Sequence, residues 1–258
     1  MHIIAIANEK GGVAKTTTCI SLGAALVKAG HEVLLVDLDS QANLTLGLGV
    51  VPSKVRHSVA DVMLNSATIL SISRETSLPG LDLVPSNEEM GLAEKFLPMR
   101  KNYEYILKNA LEAIPSYGFV LLDCPPSLGA VTTNALSAAH YALTPTQPEY
   151  FSAYGLRSVM ALIRRVRSQS NADLAYYVLI TMMDRRNRIH RTLNEQLHVT
   201  FGDGLLNTVI ETDTKLREST VAGLPICMYA PNSRSAGQYQ ALAQELIQNV
   251  EEKVKQSN

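Results

Sequence analysis

The sequence predicts an α/β fold in which helices flank a doubly wound, mainly parallel β-sheet. Short apolar runs rich in β-branched residues alternate with helical patterns along the chain. The first of these runs passes through a glycine turn into an amphipathic run that has the length of a helix. A chain of 258 residues is long enough for one large domain with a substantial core. We therefore expect residues 1–258 to form a single domain.

Strands are expected where β-rich apolar runs are bounded by turn residues. These runs are His2–Asn8, Glu32–Asp37, Leu81–Pro85, Phe119–Asp123, Tyr141–Thr146, Ala175–Thr181, Leu205–Ile210 and Ile226–Tyr229. Helices are expected where apolar residues recur about every 3.6 positions. These segments are Lys15–Lys28, Tyr103–Ala113, Val131–Ala139, Ser152–Arg167, Arg191–His198 and Ala236–Lys255. The segment Ser53–Ser77 shows neither pattern and is hard to assign.

The glycine turn after the first strand has the sequence Lys10-Gly11-Gly12-Val13-Ala14-Lys15-Thr16-Thr17. Such a turn directs backbone N–H groups and the positive end of a helix at one point, which suits a polyphosphate. Gly11 and Gly12 let the backbone approach phosphate oxygens without a Cβ in between. Lys15 would reach the terminal phosphates, and the hydroxyl of Thr16 would bind Mg²⁺. The turn therefore indicates a nucleotide-phosphate site.

Two acidic motifs follow predicted strands. They are Leu35-Val36-Asp37-Leu38-Asp39-Ser40-Gln41-Ala42-Asn43 and Phe119-Val120-Leu121-Leu122-Asp123-Cys124-Pro125-Pro126. Their carboxylates should emerge at the same sheet edge as the glycine turn. Taken alone, the first motif also fits a solvent-exposed strand end or a ribose-binding acid, although the G-x-G-x-x-G pattern of dinucleotide folds is absent. Asp123 suits Mg²⁺, which takes oxygen ligands and ordered waters.

Composition limits the classes of function. The net charge of −1 means that any contact with nucleic acid must come from a local basic patch. Cys19, Cys124 and Cys227 lack metal-ligand spacing and are expected to be buried thiols in a reducing compartment. The chain has no signal-peptide pattern and no apolar run of the roughly 18 residues that a membrane span needs. We expect a soluble cytoplasmic protein.

The motifs together resemble those of the ParA/MinD ATPases, P-loop NTPases with a deviant Walker A box. Segment Lys10–Thr17 resembles that box, Asp37–Asn43 the second box, and Leu121–Pro126 the Walker B box. Three later segments resemble the ParA version, namely Thr144–Leu156, Leu179–Asp184 and Tyr229–Ala236. The sequence departs from the family at Ala14 and Ala42, where the family usually has glycine. Ala14 would cost little if its φ angle were negative.

The resemblance implies cofactors and roles for single residues. The cofactors are ATP or ADP with Mg²⁺. The residues expected at the metal site are Thr16, Asp39 and Asp123. The resemblance makes Lys10, Lys15 and Asp39 catalytic, with Asp39 polarising the attacking water and Lys10 meeting the ATP of a facing subunit. The residues expected to contact the nucleotide are Lys10, Gly11, Gly12, Val13, Ala14, Lys15, Thr16, Thr17, Asp123, Thr181, Met183, Asp184 and Pro231.

Among the branches of the family, the sequence resembles the small ParA/Soj type most. The resemblance implies slow ATP hydrolysis, an ATP-dependent homodimer, non-specific double-stranded DNA on the nucleoid and a ParB-like activator. The polar C-terminal tail does not suit membrane insertion. A ParA-like protein that positions a protein cargo, and a P-loop metabolic ligase or phosphotransferase, remain alternatives.

The expected DNA contacts are basic residues in two parts of the chain. The stretch from Arg157 to Arg191 contains eight arginines and only two aspartates. Such a composition also fits an ordinary solvated basic surface. Phosphate binding requires positive charge and reach rather than contact with base edges. The residues expected to bind DNA are Lys215, Arg217 and Arg234, with Arg185, Arg186, Arg188 and Arg191 as additions.

Overall fold

The computed structural model of the protein describes residues 1–114 and 117–257. Its strands are β1 (His2–Ile6), β2 (Val33–Asp37), β3 (Arg74–Glu75), β4 (Leu81–Val84), β5 (Phe119–Asp123), β6 (Tyr141–Thr146), β7 (Ala175–Met183) and β8 (Leu205–Glu211). Within the described residues they form one sheet of order β3-β4-β2-β5-β1-β6-β7-β8. Only the pairing of β3 with β4 is antiparallel among these strands. The predicted α/β class with a mainly parallel sheet is confirmed.

Helices cover both faces of the sheet. They are α1 (Lys15–Lys28), α2 (Asn43–Gly47), α3 (Val59–Asn65), α4 (Ile69–Ile72), α5 (Met90–Phe96), α6 (Ile106–Glu112), α7 (Ala130–Ala138), α8 (Tyr150–Gln169), α9 (Arg188–Phe201), α10 (Thr214–Val221), α11 (Ile226–Tyr229) and α12 (Arg234–Ser257). In the described part of the chain, no helix combines the length and the apolar character that a membrane crossing requires.

The core lies in two layers because successive strand residues point to opposite faces. In β1, Ile3 and Ala5 join the layer under α3, α6 and α7, whereas Ile4 and Ile6 join the layer under α1 and α12. Each central strand is therefore buried on both faces, which explains why the sequence shows continuous apolar runs instead of alternation. This is the property that made the central strands predictable.

The carboxyl ends of three central strands meet at one edge of the sheet. The strand register places Asp123 of β5 beside Ile6 of β1 and Asp37 of β2. The glycine turn follows β1 directly, so this edge collects the turn and both acidic motifs. The predicted meeting of the three motifs is confirmed.

The strand predicted at Ile226–Tyr229 is wrong, because this segment is helix α11. The backbone N–H groups of Met228 and Tyr229 both donate to the carbonyl of Pro225, which closes a helical turn. Ile226 and Cys227 are buried against the layer that contains α1. An apolar run of this length fits a buried strand and a buried helix equally well, so the pattern could not separate them.

The segment Ser53–Ser77 folds into α3, α4 and the edge strand β3. A capping box begins α3, because Ser58 Oγ accepts from the N–H of Ala60 while Asp61 Oδ2 accepts from the N–H of Ser58. This spacing of serine and aspartate is a recognised start signal for a helix. The sequence therefore contains a signal for α3 that apolar periodicity alone does not show.

Candidate functional site

A cleft of about 790 Å³ opens at the edge where the three motifs meet. The predicted residues that line it are Gly11, Gly12, Ala14, Lys15, Thr16, Thr17 and Asp39. Other lining residues include Asn43, Pro126, Met182 and Val221. The cleft is large enough for the phosphates of a nucleotide and is bordered by the start of α1, whose N–H groups suit an anion.

Lys15 lies at the base of this cleft. Its side chain is buried, with 8% of the residue exposed, and Nζ donates to the carbonyl of Lys10 at 3.1 Å. Burial lowers the pKa of Lys15, and the nearby carboxylate of Asp123 partly offsets this effect. An ammonium group that is short of water and faces a cleft is stabilised by an anion in that cleft.

Asp123 lies at the end of β5, beside Thr16, which lines the cleft. Its Oδ2 accepts a hydrogen bond from Thr16 Oγ1 at 2.7 Å, whereas its Oδ1 is buried and has no hydrogen-bond partner among the described residues. Burial raises the pKa of Asp123, and the adjacent Asp37 adds to this effect. A buried carboxylate oxygen without a donor fits a cation or an ordered water.

The donor set fits Mg²⁺ in particular. Thr16 and Asp123 offer oxygen atoms, which are the ligands that this ion prefers. Among the described residues there is no cluster of three or more histidine, cysteine, aspartate or glutamate side chains that could hold a metal. A Mg²⁺ ion at this position would therefore take its other ligands from phosphates and water.

Asp37 holds the turn that carries Asp39. The buried carboxylate of Asp37 accepts from Thr45 Oγ1 at 2.7 Å, from the N–H of Thr45 at 2.9 Å and from the N–H of Asp39 at 3.2 Å. Burial raises the pKa of Asp37 to about 6, against the opposite effect of the bonds from Thr45. The side chain of Asp39 lines the cleft and accepts from the N–H of Gln41 at 2.9 Å. Asp37 is therefore structural here, and Asp39 is the carboxylate that reaches the cleft.

Ala14 adopts the left-handed conformation, with φ of 67°. An alanine at this position would cost little free energy only if its φ were negative, and this condition is not met. Ala42 is also left-handed, with φ of 52°. Both alanines stand where the family usually has glycine, and this conformation costs a residue with a Cβ about 1–2 kcal/mol. The turn keeps a backbone shape that glycine would adopt without strain.

We expect Ala14→Gly to raise the free energy of unfolding by about 0.5–1 kcal/mol, because the relief of strain exceeds the added entropy of the unfolded chain. Ala29→Gly is the matched control, because Ala29 is the C-cap of α1 with φ of −81° and its replacement should lower the free energy of unfolding by about 0.5–1 kcal/mol. Urea unfolding without nucleotide measures both values. Equal destabilisation by the two substitutions would contradict the assignment of strain to Ala14.

The other lysine of the turn, Lys10, points away from its own cleft. Its Nζ donates to Glu149 Oε2 at 2.8 Å and to Gln147 Oε1 at 3.2 Å, at the start of α8. Gln147 in turn donates through Nε2 to the carbonyl of Gly12 at 3.2 Å. Lys10 is not among the described residues that line the cleft. No sequence pattern points to Gln147 and Glu149 as partners, because they lie far from Lys10 along the chain.

A second cavity of about 550 Å³ adjoins the glycine turn. Its lining includes Ala14, Thr17, Thr181, Met182 and Arg217. The hydroxyl of Thr181 donates to the carbonyl of Val13 at 3.1 Å or of Thr146 at 3.2 Å, so Thr181 also fixes the turn.

Three of the residues expected near the base have other surroundings. Met183 packs in an apolar cluster, whereas its neighbour Met182 lines both cavities. Asp184 is paired with Arg186, and Pro231 is exposed. Among the described residues, Met182 rather than Met183 is the methionine that lines these two cavities.

Four of the basic residues expected to bind DNA lie near the starts of α10 and α12, namely Lys215, Arg217, Arg234 and Arg185. Asp213, just before α10, accepts from Ser235 Oγ at 2.9 Å, which brings these two helix starts together. Arg185 and Arg234 both pair with Glu211, and Lys215 pairs with Glu218. Each of these basic side chains therefore has an acidic partner within the chain.

The remaining expected residues lie on α9 and nearby. Arg188 begins α9, and Arg191 on the same helix donates to the carbonyl of Arg185 at 3.3 Å. Arg217 lies on α10 and is exposed. Two of the earlier arginines of the run have partners away from α9. Arg165 donates to Thr133 and Arg167 to the carbonyl of Leu174. Arg157 and Arg164, by contrast, line a cavity together with Leu193 and Gln196 of α9.

A parallel sheet with a glycine turn, a buried lysine and a strand-end aspartate defines the class of P-loop ATPases. The AAA domain family model AAA_31 matches residues 1–176. The sporulation initiation inhibitor protein Soj of Bacillus subtilis is 40% identical over 249 residues, which cover 96% of this chain and 98% of that protein. The chromosome partitioning protein ParA of Caulobacter vibrioides is 38% identical over 251 residues, covering 96% and 94%. The chain belongs to the ParA/Soj-type partition ATPases.

Solved structures agree with this fold. Cobyrinic acid a,c-diamide synthase from Mycobacterium smegmatis, with bound ADP and magnesium, has a TM-score of 0.85 at 34% identity and covers 97% of this chain and 96% of its own. A plasmid partition protein from Borrelia burgdorferi B31, bound to AMPPNP, has a TM-score of 0.80 at 25% identity, with coverage of 96% and 99%.

Proposed function

We propose that this ATPase is an ATP-dependent dimerisation switch that binds DNA without sequence preference. A ParB-like partner stimulates hydrolysis, and the cycle segregates or positions plasmid or chromosome DNA on the nucleoid. The observation that carries the proposal is the different placement of two lysines in one turn. Lys15 is buried at the base of the cleft, whereas Lys10 Nζ lies outside it, 2.8 Å from Glu149. One lysine serves its own nucleotide, and the other can turn toward a second chain.

The cofactors are ATP or ADP with Mg²⁺, and the glycine turn holds the phosphates. Lys15 neutralises the β- and γ-phosphates, and Thr17 bonds the α-phosphate. Thr16 coordinates Mg²⁺, and Asp123 holds it through a water. The bound ion supplies positive charge to the phosphate oxygens. This assignment is supported by the buried Oδ1 of Asp123, which has no hydrogen-bond partner among the described residues and belongs to the carboxylate bonded to Thr16.

We propose that the base lies in the second cavity. Thr181 and Met182 line this cavity at the end of β7, beside Ala14 and Thr17 of the turn. A nucleotide that leaves the phosphate site at Thr17 can continue directly into it. Thr181, which the sequence predicts near the base, and its neighbour Met182 are the residues on the base side.

Dimerisation follows from Lys10. When two subunits face each other across their clefts, Lys10 leaves Glu149 and bonds the ATP of the second subunit. Each nucleotide then joins two chains. Charge-assisted bonds of this kind contribute about 1.5–3 kcal/mol each. Because a two-fold symmetric dimer has two such sites, the contribution of ATP is doubled.

We expect Asp39→Ala to bind ATP, to dimerise and to lose hydrolysis, so that the dimer stays on DNA. Asp39 lines the cleft and is held by the Asp37 turn, which suits a residue that orients the attacking water. Phosphate release measures turnover, and Ser40→Ala in the same turn is the control. A normal turnover rate in Asp39→Ala would reject this role.

DNA binding is assigned to Lys215, Arg217 and Arg234, with the basic residues at 185, 186, 188 and 191 as additions. ATP brings negative charge and cannot attract DNA by itself. Its effect is geometric, because dimerisation joins two basic surfaces and makes the second contact intramolecular. The placement of Lys215, Arg217 and Arg234 near the joined starts of α10 and α12 supports this assignment.

We expect Lys215→Ala to weaken binding equally on two unrelated duplexes, with ATP binding and dimerisation intact. The slope of log K against log salt should become shallower by about 0.9 for each phosphate that is no longer neutralised. Lys101→Ala is the control, because Lys101 is exposed beside helices on the opposite face of the sheet. A full slope in Lys215→Ala would show that the surface is misplaced, and a strong preference of the wild type for one duplex would reject non-specific binding.

Two alternatives differ in what they bind. A ParA-like protein that positions a protein cargo would show the same ATP and DNA behaviour but would be stimulated by a different partner. A P-loop ligase or phosphotransferase is suggested by the name of the Mycobacterium smegmatis structure. Such an enzyme would act on a small substrate and would not bind DNA in an ATP-dependent manner. Titration with duplex DNA therefore distinguishes it from the switch.

A further inference from the structure

One carboxylate connects two of the arginines in the basic surface. Glu211 is the last residue of β8, and its side chain is 13% exposed. Arg185 Nε donates to Glu211 Oε1 at 2.7 Å, and Arg234 Nη1 lies 2.9 Å from Oε2. Arg185 follows β7, whereas Arg234 begins α12. The carboxylate therefore fixes the distance between two cations that are remote in sequence.

Glu211 is itself held on rigid elements. Its N–H donates to Gln238 Oε1 at 3.0 Å, and Gln238 Nε2 donates back to Glu211 Oε1 at 3.2 Å. The strand register places Glu211 beside Met183 of β7. A side chain bonded between a strand and a helix has little freedom, so the arginines bonded to it are also restricted.

The two arginines keep most of their surface open to solvent. The side chain of Arg185 is 67% exposed and that of Arg234 is 55% exposed. Arg234 Nη2 donates to the carbonyl of Thr212 at 2.8 Å, whereas Glu211 bonds Arg185 only through Nε in the described structure. The two Nη groups of Arg185 therefore form a planar fork that can bind a phosphate.

We propose that Glu211 is a positioning residue for the DNA-binding surface, holding Arg185 and Arg234 as one phosphate-binding unit. This rests on the proposed binding of DNA. Two guanidinium groups share one carboxylate, so the unit keeps a net positive charge. Glu211 does not contact DNA and acts through the arginines.

Charge and positioning lead to opposite expectations for the removal of Glu211. If the carboxylate acts only through its charge, it repels the phosphates, and its removal raises the affinity for DNA. If it positions the arginines, its removal frees two long side chains that must be ordered again on binding, and affinity falls. The sign of the change therefore distinguishes the two.

The test compares Glu211→Gln with Glu218→Gln at saturating ATP on one duplex over a salt series. Glu218 is the matched control, because it pairs with Lys215 at 2.8 Å but is 42% exposed. We expect Glu211→Gln to bind more weakly, with a slope shallower by about 0.9 for each phosphate that is no longer neutralised, and Glu218→Gln to bind more tightly. Unchanged or tighter binding by Glu211→Gln, beside normal binding by the wild type, would overturn the positioning role alone.

A variant that lacks both arginines distinguishes the loss of positioning from general damage to the fold. In the variant Arg185→Ala with Arg234→Ala, the further change Glu211→Gln should no longer weaken DNA binding, because the groups it positions are gone. The same fold-change in both backgrounds would overturn the proposal. If the wild type itself failed to bind DNA with ATP, the proposed function would fail and this inference with it.

Discussion

Lys15→Ala should abolish measurable ATP binding. Lys15 is buried at the base of the cleft, and its ammonium is the cation that faces two phosphate groups in the proposed complex. Charge-assisted bonds of about 1.5–3 kcal/mol to each group correspond to a loss of roughly 10²–10⁴ in affinity. Calorimetric titration with ATP and Mg²⁺ measures this loss.

The control for this variant is Lys28→Ala on the same helix. Lys28 is the last residue of α1, and its Nζ donates to the carbonyl of Cys227 at 3.1 Å, outside the cleft. Its ATP affinity should equal that of the wild type. If Lys15→Ala also retained wild-type affinity while remaining folded by circular dichroism, the nucleotide would have to bind elsewhere.

Lys10→Ala should bind ATP normally and fail to dimerise or to hydrolyse it. Lys10 lies outside the lining of its own cleft, so its removal leaves the phosphate site of its own chain intact. Removal of one such bond at each of the two sites corresponds to about 3–6 kcal/mol, or roughly 10²–10⁴ in the dimer dissociation constant. Light scattering with ATP measures the mass, and titration measures the affinity.

Glu149→Gln should change dimerisation in the direction opposite to Lys10→Ala. It removes the carboxylate that pairs with Lys10 in the single chain, at 2.8 Å. Because the pair competes with a bond from Lys10 to a second nucleotide, dimerisation should then need less ATP. A dimer of wild-type mass in Lys10→Ala would show that another residue joins the subunits.

The sheet was predictable from the sequence because its central strands are buried on both faces. The run Phe119–Asp123 coincides with β5, and Tyr141–Thr146 coincides with β6. Short or exposed helices were missed for the opposite reason. In α10 only Ser219 is buried, so apolar periodicity is weak there, and no helix was assigned.

The site was predicted in its motifs but not in its long-range contacts. Motif spacing placed Lys15, Thr16 and Asp123 at one edge, because parallel strands end there. No local pattern connects Lys10 with Glu149, which are 139 positions apart. The positive φ of Ala14 was equally hidden, because alanine rarely adopts it.

The central claim is that the nucleotide controls DNA binding through dimerisation. The most direct measurement is the affinity of the wild type for one duplex with ATP and with ADP, at equal Mg²⁺ and salt, beside Lys10→Ala. We expect ATP to tighten wild-type binding by about 10²–10⁴ and to leave the binding of Lys10→Ala unchanged. Equal wild-type affinity with the two nucleotides, or an equal gain in Lys10→Ala, would contradict the claim.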